Sequence, residues 1–400
     1  MAWMDLTLSQ VELRFQQHVH DFLDAELKPE WRGVSDIDNR TQPAIMAQWQ
    51  AVLAEKGWLT AGWPVANGGL GWSPMQHHIF KEACSKARAP KISTMSIGMI
   101  GPLICAFGTP AQQAFYLPRI VNGADIWCQG FSEPGSGSDL ASLKTTARRE
   151  GDAYVVSGQK IWTTYAHLAS QMFCLVRTDV GAVQKQAGIS MLLMDMALPG
   201  ITVRPIHTID GEHHFNEVFF DDVRVPITCL LGGEHQGWDV ARALLAFERS
   251  GIADVVATRQ LLNDVAAIAA GEPRGTSSLL DDDDFANRLT KMEIALDSLE
   301  IYELRVMEAA ERGAAKDFDA SILKILGSEL KQKIHMLGIE ALDTLAAVWP
   351  DGDAPAHPSG AGRKLVVDAL FFRAGSIYGG ANEIQRNIVA KSLLKSGSEI

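Results

Sequence analysis

The tightest constraint on the fold is a change of hydrophobic period within the chain. From Thr145 to Val225 the apolar residues fall into short runs, AYVVSG, MFCLVRT, GISMLLMDM, ITVRPI and FNEVFFDDVRVP. Each is bounded by Gly, Asp, Pro or polar clusters, and such a succession predicts a β-sheet domain. Within it, DAYVVSGQKIWTT reads as two strands joined through Ser157-Gly158. On either side the spacing is helical. Val11, Phe15, Val19, Phe22 and Leu23 recur three and four residues apart, as do Trp49, Val52 and Leu53. A long helical pattern carrying Leu244, Leu245, Glu248 and Ile252 runs from Gly237 through Val256, and more helices are expected over 287–312, 319–348 and about 364–395. Three Gly/Pro-rich stretches read as loops: GWPVANGGLGWSP (62–74), which punctuates rather than packs, GEPRGTSSLLDDDD, and the linker-like WPDGDAPAHPSGAG. The expected class is therefore α+β: an N-terminal helical domain (1–125), a middle β domain (126–230) and a C-terminal helical bundle (231–400).

Charge and cysteine usage exclude several functions. The chain has 36 Lys and Arg against 48 Asp and Glu, a net charge of −12. Binders of nucleic acid or anionic membrane carry the opposite sign. The five cysteines are scattered, odd in number and never form CxxC, so neither a disulfide framework nor a structural zinc site is expected. A reducing cytoplasm is the expected setting. The N-terminal MAWMDLTLSQVELRF lacks a basic region, apolar stretch and cleavage site, so no signal peptide is expected. The uncharged stretch Ile92 to Pro118 is interrupted by Gly98, Gly101, Pro102, Gly108 and Pro110. It reads as two buried helices joined by a Gly-Pro turn, not as a membrane span.

Three segments carry candidate chemistry. In CQGFSEPGSGSDLAS (128–142), Gly135 and Gly137 permit close backbone approach, while Ser132, Ser136 and Ser138 offer hydroxyls and amides to a polar or phosphorylated ligand. Leu140 stands where a dinucleotide fingerprint needs its third Gly, and no Gly-Lys-Ser/Thr follows. Alone, the segment reads equally as a surface loop. KIWTTYA (160–166) puts an aromatic plane and two hydroxyls at a strand end, and SIYGGANEIQRNIVAK (376–391) has a Gly-Gly break before a helix. Separately these read as core packing and as a capped helix.

Together and in this order, the three segments resemble the acyl-CoA dehydrogenase family, as do the GWPVANGGLGW loop and the α–β–α order. The resemblance covers nearly the whole chain, with SEPGSGSD its most specific part. It implies FAD bound without a Rossmann fold, between the β domain and the C-terminal helices. It also implies removal of an α-proton from an acyl-CoA thioester, transfer of the β-hydrogen as hydride to the flavin, and an electron-transfer flavoprotein as acceptor. Carried over, Gln129, Phe131, Ser132, Gly137 and Ser138 line the flavin, and Trp162, Thr163 and Thr164 flank its ring. Gly380, Ala381, Asn382 and Glu383 match the C-terminal turn, with Ala381 replacing the usual Thr. Ser138, Glu248, Arg249 and Lys391 fall on the substrate side.

Many family members place a Glu where this chain has Gly379, which cannot abstract a proton. Its backbone N–H can still serve the oxyanion. Glu248 in ALLAFERSGIA resembles the base of the long-chain and isovaleryl branches. It is the only acidic residue from Val240 to Ala253, so desolvation is expected to favour its neutral form. A buried ion pair is the structural alternative, although adjacent Arg249 does not face it. The cross-subunit FAD segments depart further: EPRGTSSLL leaves only Arg274 as a substitute, and EALDT (340–344) replaces Gln-x-x-Gly-Gly. This pattern resembles branches acting on dicarboxylic, cyclic or steroid-derived acyl-CoAs, often as heteromers. A homo- or hetero-oligomer, dimer or tetramer, is expected. A flavin oxidase or monooxygenase on the same scaffold and a non-catalytic partner subunit are the alternatives. His77-His78, His213-His214 and His18-His20 lack metal-ligand spacing, so no metal is expected, and Asp281 to Asp284 read as a solvated helix start.

Overall fold

The computed structural model describes residues 8–34, 43–271, 273–274, 277–316, 318–343, 346 and 361–396. The N-terminal helices are α1 (Gln10–Glu26), α2 (Pro43–Glu55) and α3 (Pro74–Lys86). Ser9 and Glu12 close a capping box that starts α1, and Ser73 and Gln76 do the same for α3. Helix α1 buries Val19, Phe22 and Leu23, whereas Val11 stays exposed; Trp49 and Leu53 of α2 are buried. The loop 62–74 is part of this core, contrary to the expectation of a spacer. Trp63 is buried and donates its indole N–H to the Ile97 carbonyl at 2.9 Å. A Cβ on Gly69 would meet the Trp63 carbonyl at 1.6 Å, and one on Gly101 would meet the indole at 2.2 Å. Glycine at 101 lets the ring enter, and glycine at 69 lets the loop fold back on the Trp63 backbone.

In the uncharged stretch, a π-helical segment (Thr94–Ile100) runs directly into α4 (Gly101–Phe107). The turn falls at Gly108-Thr109, where Thr109 caps α5 (Pro110–Val121). Among the described residues no helix is long and apolar enough to cross a membrane.

The middle sheet has strands β1 (Trp127–Gly130), β2 (Thr146–Glu150), β3 (Ala153–Thr164), β4 (Gln171–Arg177), β5 (Ile189–Asp195), β6 (Ile201–Ile206), β7 (Phe215–Pro226) and β8 (Leu230–Leu231). Its order is β6-β7-β3-β2-β4-β5-β8, with β1 parallel to β4. Alternation sorts the side chains. Phe173, Leu175, Met191 and Leu193 pack against the N-terminal helices, while Met172, Cys174, Val176, Leu192 and Val218 form a core on the other face. The expected pair of strands around Ser157-Gly158 is instead one continuous strand, β3. A bulge absorbs the glycine: the β3–β7 register shifts between Val156 and Gly158, and a Cβ on Gly158 would lie 2.7 Å from the Thr145 Cα.

The C-terminal bundle comprises α6 (Gly237–Ile252), α7 (Val255–Gly271), α8 (Asp283–Glu311), α9 (Asp319–Leu342), α10 (Ala361–Phe371) and α11 (Asn382–Ser396). The pattern expected to continue from Gly237 through Val256 breaks at Ala253-Asp254, where Asp254 takes a φ of +42°. Gly327 of α9 approaches there so closely that a Cβ on it would lie 2.7 Å from the Ala253 Cα, and Lys331 pairs with Asp254 at 3.2 Å. The pattern expected over 364–395 is likewise divided, by a 3-10 turn (Phe372–Ser376) and the Gly379-Gly380 break. Asp282 caps α8 by accepting the Phe285 N–H at 2.9 Å, so the aspartate run is a helix start. Most of WPDGDAPAHPSGAG lies outside the described residues.

Candidate active site

The loop between β1 and β2 is held by a buried ion pair. The Lys160 side chain is fully buried; its ammonium donates to the Glu133 carboxylate at 2.9 Å and to the Phe131 carbonyl at 3.0 Å. The same carboxylate accepts the Lys144 and Thr145 N–H groups at 2.6 and 2.8 Å. Burial pushes the Glu133 carboxyl up, but Lys160 and these donors outweigh it and hold the group below its ordinary value. Glu133 and Ser136 exchange backbone hydrogen bonds, and Ile161 donates its N–H to the Ser132 carbonyl at 3.0 Å. The loop is thereby stapled beside the end of β3.

Gly135 and Gly137 are not required by packing, since a Cβ on either would meet nothing within 4 Å. That leaves their backbone open to a ligand. Gly137 and Ser138 are exposed, while Gln129 and Ser132 are half-buried. Phe131 is buried with its ring edge-on to Phe173 at 5.8 Å, so its side chain belongs to the core.

Trp162 stands on a second bulge, at the register shift between Lys160 and Thr163. Its φ is +60° and it is 55% exposed. A bulky residue in the left-handed region is strained, and here the strain turns an indole out of the sheet. Thr163 is fully buried with Oγ1 lacking a hydrogen-bond partner among the described residues, and Thr164 is half-buried. The indole meets Phe215 edge-on at 6.0 Å, and Phe215 stacks on Phe371 at the end of α10, also at 6.0 Å. The neighbouring Phe372 meets Tyr378 at 6.3 Å. Aromatic contacts thus link the strand end to the segment that leads into Gly379-Gly380.

In that turn Gly379 and Gly380 have φ of +61° and +85°, and a Cβ on Gly380 would lie 2.3 Å from the Gln385 amide. Asn382 is buried, its side chain bonded to Lys324 at 2.7 Å, to Ser328 and to Glu329. That amide ties α11 to α9, leaving its backbone for other contacts. Ala381 is half-buried; Glu383 and Lys391 are exposed. Glu248 and Arg249 fall on α6 and Arg274 on a short strand (Pro273–Arg274), but their side chains lie outside the described residues. Of EALDT, Glu340 pairs with Arg288, and Thr344 lies outside the described residues. Among the described residues no group of three or more His, Cys, Asp or Glu could hold a metal ion. Glu133, Lys160, Phe215 and Phe371 went unrecognised in the sequence, where only the proximity of Lys160 to Trp162 gave a signal.

Family models for the N-terminal, middle and C-terminal domains of acyl-CoA dehydrogenases match residues 9–124, 128–223 and 235–394. The chain belongs to the acyl-CoA dehydrogenase family. It is 39% identical to acyl-CoA dehydrogenase IpdE1 of Mycobacterium tuberculosis over 352 residues, 86% of each chain. The ChsE4-ChsE5 complex from Mycobacterium tuberculosis is 29% identical with a TM-score of 0.80, covering 98% of this chain and 99% of that one. The Tcur3481-Tcur3483 steroid ACAD is 26% identical with a TM-score of 0.83 and the same coverage. This acyl-CoA dehydrogenase is an oxidoreductase acting on acyl-CoA, with FAD as its cofactor. The site suits that group: an exposed indole plane, a loop with open glycine backbone, and a buried hydroxyl with a bond to spare.

Proposed function

We propose that this acyl-CoA dehydrogenase converts a saturated acyl-CoA thioester to the trans-2-enoyl-CoA, with Glu248 as the base and an electron-transfer flavoprotein as electron acceptor. The observation that carries the reading is Trp162, an exposed and strained indole beside the loop 128–142. In this reading Trp162 and Thr164 flank the flavin ring, and Ser132, Gly137 and Ser138 follow its chain. Bound FAD supplies a two-electron acceptor for the hydrogen leaving Cβ.

An α-hydrogen of a thioester is a very weak acid, so a carboxylate alone removes it slowly. The enolate oxygen needs donors. The Gly379 N–H supplies one, because a glycine keeps the backbone donor while lacking a carboxylate. The base then comes from elsewhere, and Glu248 lies one turn beyond the buried Leu244 in α6. Arg249 and Lys391 are assigned to the CoA side.

The acyl group we assign is cyclic or steroid-derived, and the assembly is an oligomer with a second copy or a related chain. The steroid ACAD and the two-protein complex among the relatives support both points. Departure of the segments at Arg274 and 340–344 from the family pattern supports a related chain completing the FAD contacts. Anaerobic bleaching of the yellow protein by a cyclic acyl-CoA tests the reading, with and without the partner chain. Colourless protein that gains no flavin in either case contradicts it.

A further inference from the structure

One buried side chain sits directly behind the Trp162 bulge. Asn216 is fully buried on β7, opposite Thr163 in the β3–β7 register. Its Nδ2 donates to the Thr163 carbonyl at 3.0 Å and lies 3.1 Å from His167 Nδ1, while His213 Nε2 lies 2.8 Å from its Oδ1. The amide has two hydrogens and one oxygen, so the donor and acceptor roles are fixed. His213 must donate through Nε2, and His167 must accept at a bare Nδ1. The two imidazoles stack with centroids 3.8 Å apart and planes at 17°. The same turn is fastened again where Tyr165 donates its N–H to the His214 carbonyl at 2.8 Å.

We propose that Asn216 is a positioning residue for the cofactor-facing segment Trp162–Thr164, and that it holds this segment firmly only while His167 is neutral. A proton on His167 Nδ1 opposes the Asn216 N–H. Asn216 can then no longer satisfy both partners. His167 is exposed. The titratable groups facing the pair among the described residues include His207 beside His213 at 5.6 Å, Tyr165 beside His167 at 6.4 Å, and His214 with Asp210 at 2.6 Å. The proposal rests on the placement of the flavin against Trp162 and Thr164 given above.

The test is FAD release from the holoenzyme on dilution, followed by recovery of flavin fluorescence between about pH 5 and 8, the range in which histidine titrates. Wild-type release accelerates about tenfold as pH falls, the scale of one hydrogen bond lost at a buried carbonyl. Asn216→Leu releases fast throughout, without a slope. His167→Phe keeps the ring stack but cannot take the proton, so it releases slowly throughout. In Asn216→Asp the slope reverses, because the carboxylate opposes the Thr163 carbonyl at high pH and accepts from protonated His167 at low pH. A merely structural Asn216 lowers the melting temperature and leaves release rate and slope as in wild type, which overturns the proposal. Should Asn216→Leu fail to fold, a wild-type slope in His167→Phe overturns it instead. Trp162→Ala separates the two levels: accelerated release there with wild-type behaviour in Asn216→Leu defeats only the positioning role. Unchanged release in Trp162→Ala defeats the flavin placement itself.

Discussion

Trp162 sits in a conformation that costs a bulky residue about 1–3 kcal/mol, a cost that the proposed placement against the flavin accounts for. Trp162→Ala is therefore expected to leave the melting temperature nearly unchanged while weakening FAD retention at least about tenfold, the worth of a lost aromatic contact surface. Absorbance of the protein after gel filtration checks this, and full flavin content with an intact fold contradicts it. Gly379 carries a second expectation. With a φ of +61° a side chain there is strained, so Gly379→Glu added to Glu248→Gln recovers only part of the lost rate. No recovery in single-turnover reduction places the turn away from the reacting carbon. At this scale the sequence offered candidate residues but not their conformations. KIWTT advertised a plane and hydroxyls, yet nothing marks residue 162 as left-handed, because no glycine stands there. The partner of Lys160 is 27 residues away, a separation no local pattern conveys.

The stapled loop is the element on which the site depends. Lys160→Met leaves the Glu133 carboxylate buried without its cation, a change that costs about 3–5 kcal/mol, whereas the double variant Lys160→Met with Glu133→Gln costs less. Thermal unfolding of the three proteins measures the difference; equal losses in the single and double variants contradict the staple. The sign in acid follows from the lowered carboxyl of Glu133. Its contribution is complete above the unfolded value of about 4.3 and is lost as pH falls through the lower folded value. Glu133→Gln should flatten that part of the acid unfolding profile. The α–β–α order was legible because the hydrophobic period changes so sharply, and the strands fell on the short apolar runs. Three features were not legible because tertiary contacts decide them. Gly327 presses on Ala253 and breaks the helix at Asp254, Trp63 enters the core through a loop of glycines, and Thr145 crowds Gly158 into a bulge.

For the whole molecule, the chain alone is expected to form an oligomer with fewer FAD than chains, and a related partner chain to restore the full complement. Light scattering with cofactor titration measures both, and tight FAD binding by an isolated monomer contradicts the shared site. The family was readable in the sequence from three short segments, and the α+β architecture from the change of hydrophobic period. The acyl group and the partner were not, since both depend on surfaces assembled from distant residues. The central claim is that Glu248 takes the α-proton in a chain whose Gly379 cannot. Its most direct test is anaerobic stopped-flow reduction of the bound flavin by an acyl-CoA substrate, comparing wild type with Glu248→Gln. Glutamine keeps the shape and removes the base, so reduction should fall at least ~100-fold while FAD content and CoA binding persist. Reduction at the wild-type rate in a folded, FAD-loaded Glu248→Gln protein would contradict the mechanism.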